Sequence, residues 1–345
     1  MNKKLITLAV AAAMVAPLAA VAETTLYGRL DNALTYWDVD VSRDRAGNKL
    51  PKADRVDESA WDTATGTTRI GVKGSEDLGN GLKAIFQAEW AFNSTEGGST
   101  DDGGGSGNLK NRLGYVGLAG GFGTVAIGRQ WTPYYGAVNK TDVFNNPASE
   151  ASANGNYLGL TRVGNAVSYA SPNFGGFSVK TALIIDGGTG FGESDGIDAW
   201  NPSIQYDNGP ISIGASYLGY DNDIAAANGD QPEDRWGISG SYNFGMFKLI
   251  AQYEDKDETE NDLTGDLDNE TDAWTLLGEA YFGNNIVRAQ YGQVDNDAFK
   301  DDIDVWAIGL QHNFSKATRV YAEYYANSSD DNDVSELALG LRHDF

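Results

Sequence analysis

The sequence predicts an all-β chain closed into a 16-stranded antiparallel transmembrane β-barrel, with short periplasmic turns and long extracellular loops. Three observations carry the prediction. Apolar and polar residues alternate in segments of about ten, the length of a tilted membrane strand. The connections alternate between tight glycine-containing turns and long polar loops. Beyond the first 22 residues, no stretch reaches the roughly eighteen consecutive apolar residues of a membrane helix.

Residues 1–22 read as a cleaved signal peptide. Lys3 and Lys4 form a basic start, Leu5 to Leu18 is almost wholly apolar, and Ala20-Val21-Ala22 supplies the small residues of a cleavage site. The barrel is expected to occupy 23–345. The chain contains no cysteine, so no disulfide braces it, and its formal charge of −24 disfavours a nucleic-acid partner, whose phosphates demand lysine and arginine.

Strands follow from parity. Leu82, Ala84, Phe86, Ala88 and Trp90 share one face, with Lys83, Gln87 and Glu89 on the other. Ile211, Ile213, Ala215 and Tyr217 oppose Ser212, Gly214 and Ser216, and Val287, Ala289 and Tyr291 oppose Arg288 and Gln290. Seven short turns, from Asp77–Gly81 to Ser315–Ala317, alternate with eight long loops, which gives sixteen strands. The first long loop is expected at Val41–Gly66 and the longest at Tyr134–Thr161. Arg29, Arg69, Lys73, Glu89 and Arg112 all read as belonging to the polar face. A basic residue turned to lipid would cost roughly 2–4 kcal/mol at the midplane, so that face is expected to be the lumen. Side chains cannot fill a ring of this size, which implies a water channel. Trp37, Trp90, Phe174, Phe244, Phe282 and Phe314 fall at strand ends, where interfacial girdles belong.

Several segments resemble the Gram-negative general-diffusion porins. They are TLYGRLD, TRIGVKGSEDLGNGLKAIFQAEW, NRLGYVGL, VAIGRQW, RVGNAVSYASPNFGGF and the terminal LRHDF, in that order, and they cover essentially all of Glu23 to Phe345. The resemblance implies an outer-membrane homotrimer whose third long loop folds into each lumen as a constriction. It implies a basic wall of Arg29, Arg69, Lys110, Arg112 and Arg162, faced by Asp142 on the loop. Where the family usually places a second loop acid, this chain has Asn146, and Glu150 is the substitute candidate. The resemblance also implies that Phe345 is the signal read by the outer-membrane assembly machinery. In the alternating tail ELALGLRHDF, Leu337, Leu339 and Leu341 should face lipid, and this strand should pair with the first, around Leu26 to Thr35.

No cofactor and no metal site is expected. The acidic stretches Asp255–Glu270 and Ser328–Glu336 lack the spacing of a calcium loop. The only histidines, His312 and His343, have lipid-facing parity, and no nucleophile elbow is present, so the chain does not read as an enzyme. The partners expected are small hydrophilic solutes, ions and outer-membrane lipid. A substrate-specific channel is the alternative, with Tyr134, Tyr135 and Phe144 as path-lining aromatics.

Overall fold

In the computed structural model, residues 23–43, 49–97, 109–146, 157–185, 196–221, 233–257, 270–296, 302–329 and 332–345 are described; the segment expected as a signal peptide and Glu150 lie outside them. The strands are β1 (Glu23–Val41), β2 (Val56–Thr65), β3 (Arg69–Gly79), β4 (Leu82–Ala91), β5 (Lys110–Gly120), β6 (Gly123–Trp131), β7 (Arg162–Ala170), β8 (Phe177–Ile184) and β9 (Ala199–Asn208). They continue as β10 (Ile211–Tyr220), β11 (Arg235–Asn243), β12 (Phe247–Lys256), β13 (Thr271–Phe282), β14 (Asn285–Asn296), β15 (Ile303–Asn313), β16 (Thr318–Ser329) and β17 (Asn332–Asp344). One short helix, α1 (Pro133–Val138), sits in the longest loop.

All 17 segments form one antiparallel sheet, and β1 pairs with β17, which closes the ring. The closed ring has sixteen staves, because β2 and β3 are one stave interrupted. The outer half of β1 pairs with β2 (Asn32 opposite Thr65) and its inner half with β3 (Arg29 opposite Arg69). The break falls at Gly66-Thr67-Thr68, where Asp31 takes over. Gly66 N–H donates to the Asp31 carbonyl at 2.8 Å, and Thr67 Oγ1 donates to the Asp31 carboxylate at 3.2 Å. The first loop is therefore shorter than expected, because Val56–Thr65 is strand rather than loop and β1 runs on to Val41. A hairpin whose strands pair with each other satisfies its own backbone in lipid and in water alike, so it can extend past the membrane.

Leu26, Leu30, Leu34, Val116, Ile127, Ile204, Leu249, Ile308, Leu339 and Leu341 are all exposed on the outer face. Only a hydrocarbon surround makes such a belt favourable. Phe174, Phe244, Phe282, Phe314 and Phe345 are exposed at the short-turn end. Cross-strand pairs Trp236–Tyr253, Trp274–Tyr291 and Trp306–Tyr324, with centroids 5.0–5.5 Å apart, mark the loop end. Trp37 is a correction: it stands in register with Glu336, on the lumen side, while its neighbour Tyr36 packs outside against Trp61 at 5.1 Å.

The tail pairs as its alternation requires. Phe345 N–H donates to the Gly28 carbonyl at 3.0 Å and Gly28 N–H returns a bond at 2.9 Å. The ring of Phe345 lies over Gly28, where a Cβ would stand 2.4 Å from its Cζ. Glycine at 28 is what lets the last aromatic lie against the first strand.

Candidate functional site

The loop after β6 turns into the lumen because its own residues start a helix there. Thr132 caps α1, its Oγ1 accepting from the Tyr135 N–H at 2.9 Å, and Pro133 occupies the first turn, where no donor is missed. The wall then holds the loop by hydrogen bonds. Tyr134 N–H donates to Asn201 Oδ1, Ser239 Oγ donates to the Ala137 carbonyl, and Thr141 Oγ1 donates to Gln252 Oε1, each at 2.9 Å. Gly214 permits this contact, because a Cβ there would meet the Ala137 carbonyl oxygen at 2.3 Å.

Apolar packing completes the seal. Tyr134, Ala137 and Val138 are buried against Ile184, Leu218 and Tyr220, and Phe144 against Ile250, Leu277 and Val305. The inward face is thus not uniformly polar: where the loop covers it, it is a small core. Tyr134 and Phe144 belong to that core and do not line the path, whereas Tyr135 remains partly exposed.

The stretch of the loop at Asn145 and Asn146 is fixed by Glu323, a fully enclosed carboxylate on β16. Its oxygens accept the Asn145 N–H at 3.0 Å, the Asn146 N–H at 2.7 Å and Asn145 Nδ2 at 2.9 Å. Asn146 Nδ2 donates to Glu336 at 3.1 Å. These contacts explain the departure at 146: an acid there would be packed against two carboxylates, so in this barrel the position is an anchor and not a pore charge. Asn146→Asp should loosen the loop. Its amides are expected to exchange roughly tenfold faster and open-channel noise to rise, with the barrel retained. Unchanged exchange and noise would show that the side chain at 146 anchors nothing.

The loop's described residues pack on the wall from β7 round to β17, and the opposite side of the ring is β1 to β7. Here the expected basic residues gather, in a graded way. Arg112 and Arg162 are nearest the loop acid. Asp142 accepts a short hydrogen bond from the Tyr135 hydroxyl, and burial pushes its carboxyl above the ordinary range while Tyr135, Arg162 and Arg112 pull the other way. The Arg162 guanidinium lies 4.5 Å from the Trp131 ring centre, and Trp131 stacks on Tyr135 at 4.5 Å. Arg69 comes next; it shares Glu89 with Arg112, at 3.4 and 2.7 Å, and Tyr27 OH also donates to that carboxylate at 3.0 Å. Arg29 stands opposite Arg69 in register but is held at the short-turn end by Asp344 at 2.6 Å. Lys110 opens β5 opposite Ala91, on the loop side of Arg112.

Arg112 reaches this wall by an irregularity. Glu89 pairs with Leu113 and Trp90 with Asn111, so Arg112 is the extra residue of a β-bulge. Regular alternation down from the exposed Leu118 and Val116 would have turned it to lipid. Parity alone therefore does not place Arg112 with the polar face; the bulge does. Residues not singled out from sequence include Trp131 and the pair Arg319 and Arg342, which join Arg29 around Asp344 at 3.0 and 3.4 Å. Strand-interior charge was the available signal for the last two, since each shares inward parity.

Comparison with known proteins agrees with this architecture. A family model described as "Gram-negative porin" matches residues 9–332. The "Outer membrane porin protein 32" of Delftia acidovorans is 31% identical over 335 residues, covering 93% of this chain and 88% of that protein. The "Major outer membrane protein P.IB" of Neisseria meningitidis serogroup B is 30% identical, with both chains covered completely. Among solved structures, an "Anion-selective porin from Comamonas acidovorans" superimposes with a TM-score of 0.74 at 26% identity, over 94% of this chain and 100% of that one. A closed ring, a lipid-facing belt, a loop-narrowed lumen and a family match along nearly the whole chain have one reading: this protein belongs to the Gram-negative porins, and it is a diffusion channel of the outer membrane.

Proposed function

We propose that the channel prefers anions and that Arg69, Arg112 and Arg162 set the preference, with Arg29 and Lys110 as flanking charges toward the two ends. The observation that carries this is the run of guanidinium groups along β1, β3, β5 and β7, facing a loop whose one described acid there is Asp142. The carboxylates of Glu254 and Glu323 are buried beneath the loop and out of the water path. Narrow water-filled passages amplify such wall charge, so the local sign outweighs the overall charge of −24. Similarity to a solved porin titled anion-selective supports the same sign. Purified protein in a planar bilayer under a potassium chloride gradient should give a reversal potential of the chloride sign. A potassium sign, or none, would overturn the proposal while leaving the channel itself intact.

The assembly is proposed to be a homotrimer. Asn32, exposed on the outer face and four residues along β1 from Gly28, accepts from Thr65 Oγ1 at 3.3 Å and from the Ser94 hydroxyl. A polar cluster at that depth is unfavourable against lipid and is covered if subunits meet there. Phe345 is proposed as the signal for the outer-membrane assembly machinery. Among the described residues no group of three or more acids and histidines could hold a metal.

A further inference from the structure

Below the constriction, at the short-turn end of the lumen, lies a cavity of about 530 Å³ that the arginine wall does not touch. Its lining includes Lys140 from the loop, Lys248 from β12, the inward-facing Ser212 and Ser241 on neighbouring strands, and Asn243. A third ammonium, Lys180 on β8, lies beside α1, 3.8 Å from where a Cβ on Gly136 would stand. The opposing acids are few. Asp207 accepts from Ser212 Oγ, and it is the one carboxylate that acts on Lys140. Glu279 reaches Lys248 only at 3.8 Å, because it is already held by Arg288 at 2.9 Å and by the Tyr281 hydroxyl at 2.7 Å. Among the described residues, Lys140 and Lys180 form no ion pair.

We propose that this cavity is a second anion site, which holds a small divalent oxyanion of the phosphate type between Lys140 and Lys248, with the Ser241 hydroxyl and Asn243 Nδ2 as further donors. A compact polyanion suits it because two ammonium groups act as point charges that need no fixed bidentate geometry, and the Ser241 hydroxyl and Asn243 amide can meet remaining lone pairs. Burial lowers the proton affinity of Lys140, Asp207 opposes this, and Lys248 and Lys180 lower it further. A bound anion would relieve that mutual repulsion. The site rests on the channel reading but not on the selectivity of the arginine wall. An anion that passes the arginines and pauses here would be retained at the periplasmic mouth.

The test uses the purified full-length mature protein in a planar bilayer, at fixed potassium chloride and mildly alkaline pH, where inorganic phosphate is mainly divalent. Chloride conductance should fall with added phosphate and reach a plateau. In the Lys140→Gln/Lys248→Gln variant the half-blocking concentration should rise roughly tenfold, the scale expected when two close charges are removed. Lys140→Arg/Lys248→Arg should retain the block, since charge is kept. Heat-modifiable migration on gels confirms that each variant is folded. A phosphate effect without a plateau would overturn the site, as would one unchanged in the glutamine variant or abolished by Arg112→Ala instead. Absence of any chloride conductance in the unsubstituted protein would instead count against the channel reading.

Discussion

Deletion of Phe345 is expected to leave the chain exported but stranded in the periplasm, with little heat-modifiable trimer in the outer membrane. Two losses are combined in that deletion. The ring covers Gly28 on the outer face, which as a girdle contact is worth about 1–3 kcal/mol of burial. The backbone contributes the last two ladder bonds between the final and first strands, at 2.9 and 3.0 Å, and the deletion leaves the Gly28 N–H and C=O without these partners. Phe345→Ala separates the two, because it keeps the ladder and removes only the ring. If Phe345 is read by the assembly machinery, both variants should fail in cells, and both should refold in detergent, where no machinery selects, with a much smaller deficit. Cell fractionation and gel mobility measure this. Normal outer-membrane levels of both variants would leave the girdle role alone standing.

The second large effect is on ion preference. Arg162→Ala removes one guanidinium from beside Asp142 and from the face of Trp131. Arg112→Ala does more: it also takes away the closest cation of Glu89, a carboxylate only 3% exposed, which is left to Arg69 and Tyr27. The double variant should therefore lower the chloride-to-potassium permeability ratio by roughly tenfold, equivalent to about 1.4 kcal/mol. Asp142→Asn should raise the ratio. Both effects should shrink in molar salt, where screening falls to about 3 Å. Reversal potentials across a salt gradient provide the measurement. If neutralising both signs leaves the ratio unchanged, the narrowest charged passage is elsewhere in the lumen.

The barrel was legible in the sequence because a membrane strand has a period of two, and every backbone group must be paired within the ring. Alternation in ELALGLRHDF predicts both the lipid face and the need for a partner strand, and the pairing of Leu341 with Asn32 in β1 follows from it. The turns were equally plain, since positive φ at Gly79, Asn80 and Gly81 needs the residue types found there. Parity failed where the ladder breaks. Val56–Thr65 reads as loop because both of its faces are largely exposed, so nothing imposes alternation. Arg112 reaches the lumen through a bulge that no single-strand pattern reveals, because the extra residue exists only relative to Glu89 and Trp90 on the next strand. The same holds for the loop. Composition could say that a long segment with Tyr134, Phe144 and Asn146 sits between two strands, but not which side chains it hides. Burial of Tyr134 against Leu218 and the hold of Glu323 on Asn145 and Asn146 join residues up to 178 positions apart. The sequence determined the ring because its rule is local; the constriction was decided by tertiary contacts, because a charge faces the water path only where no distant side chain has already claimed it.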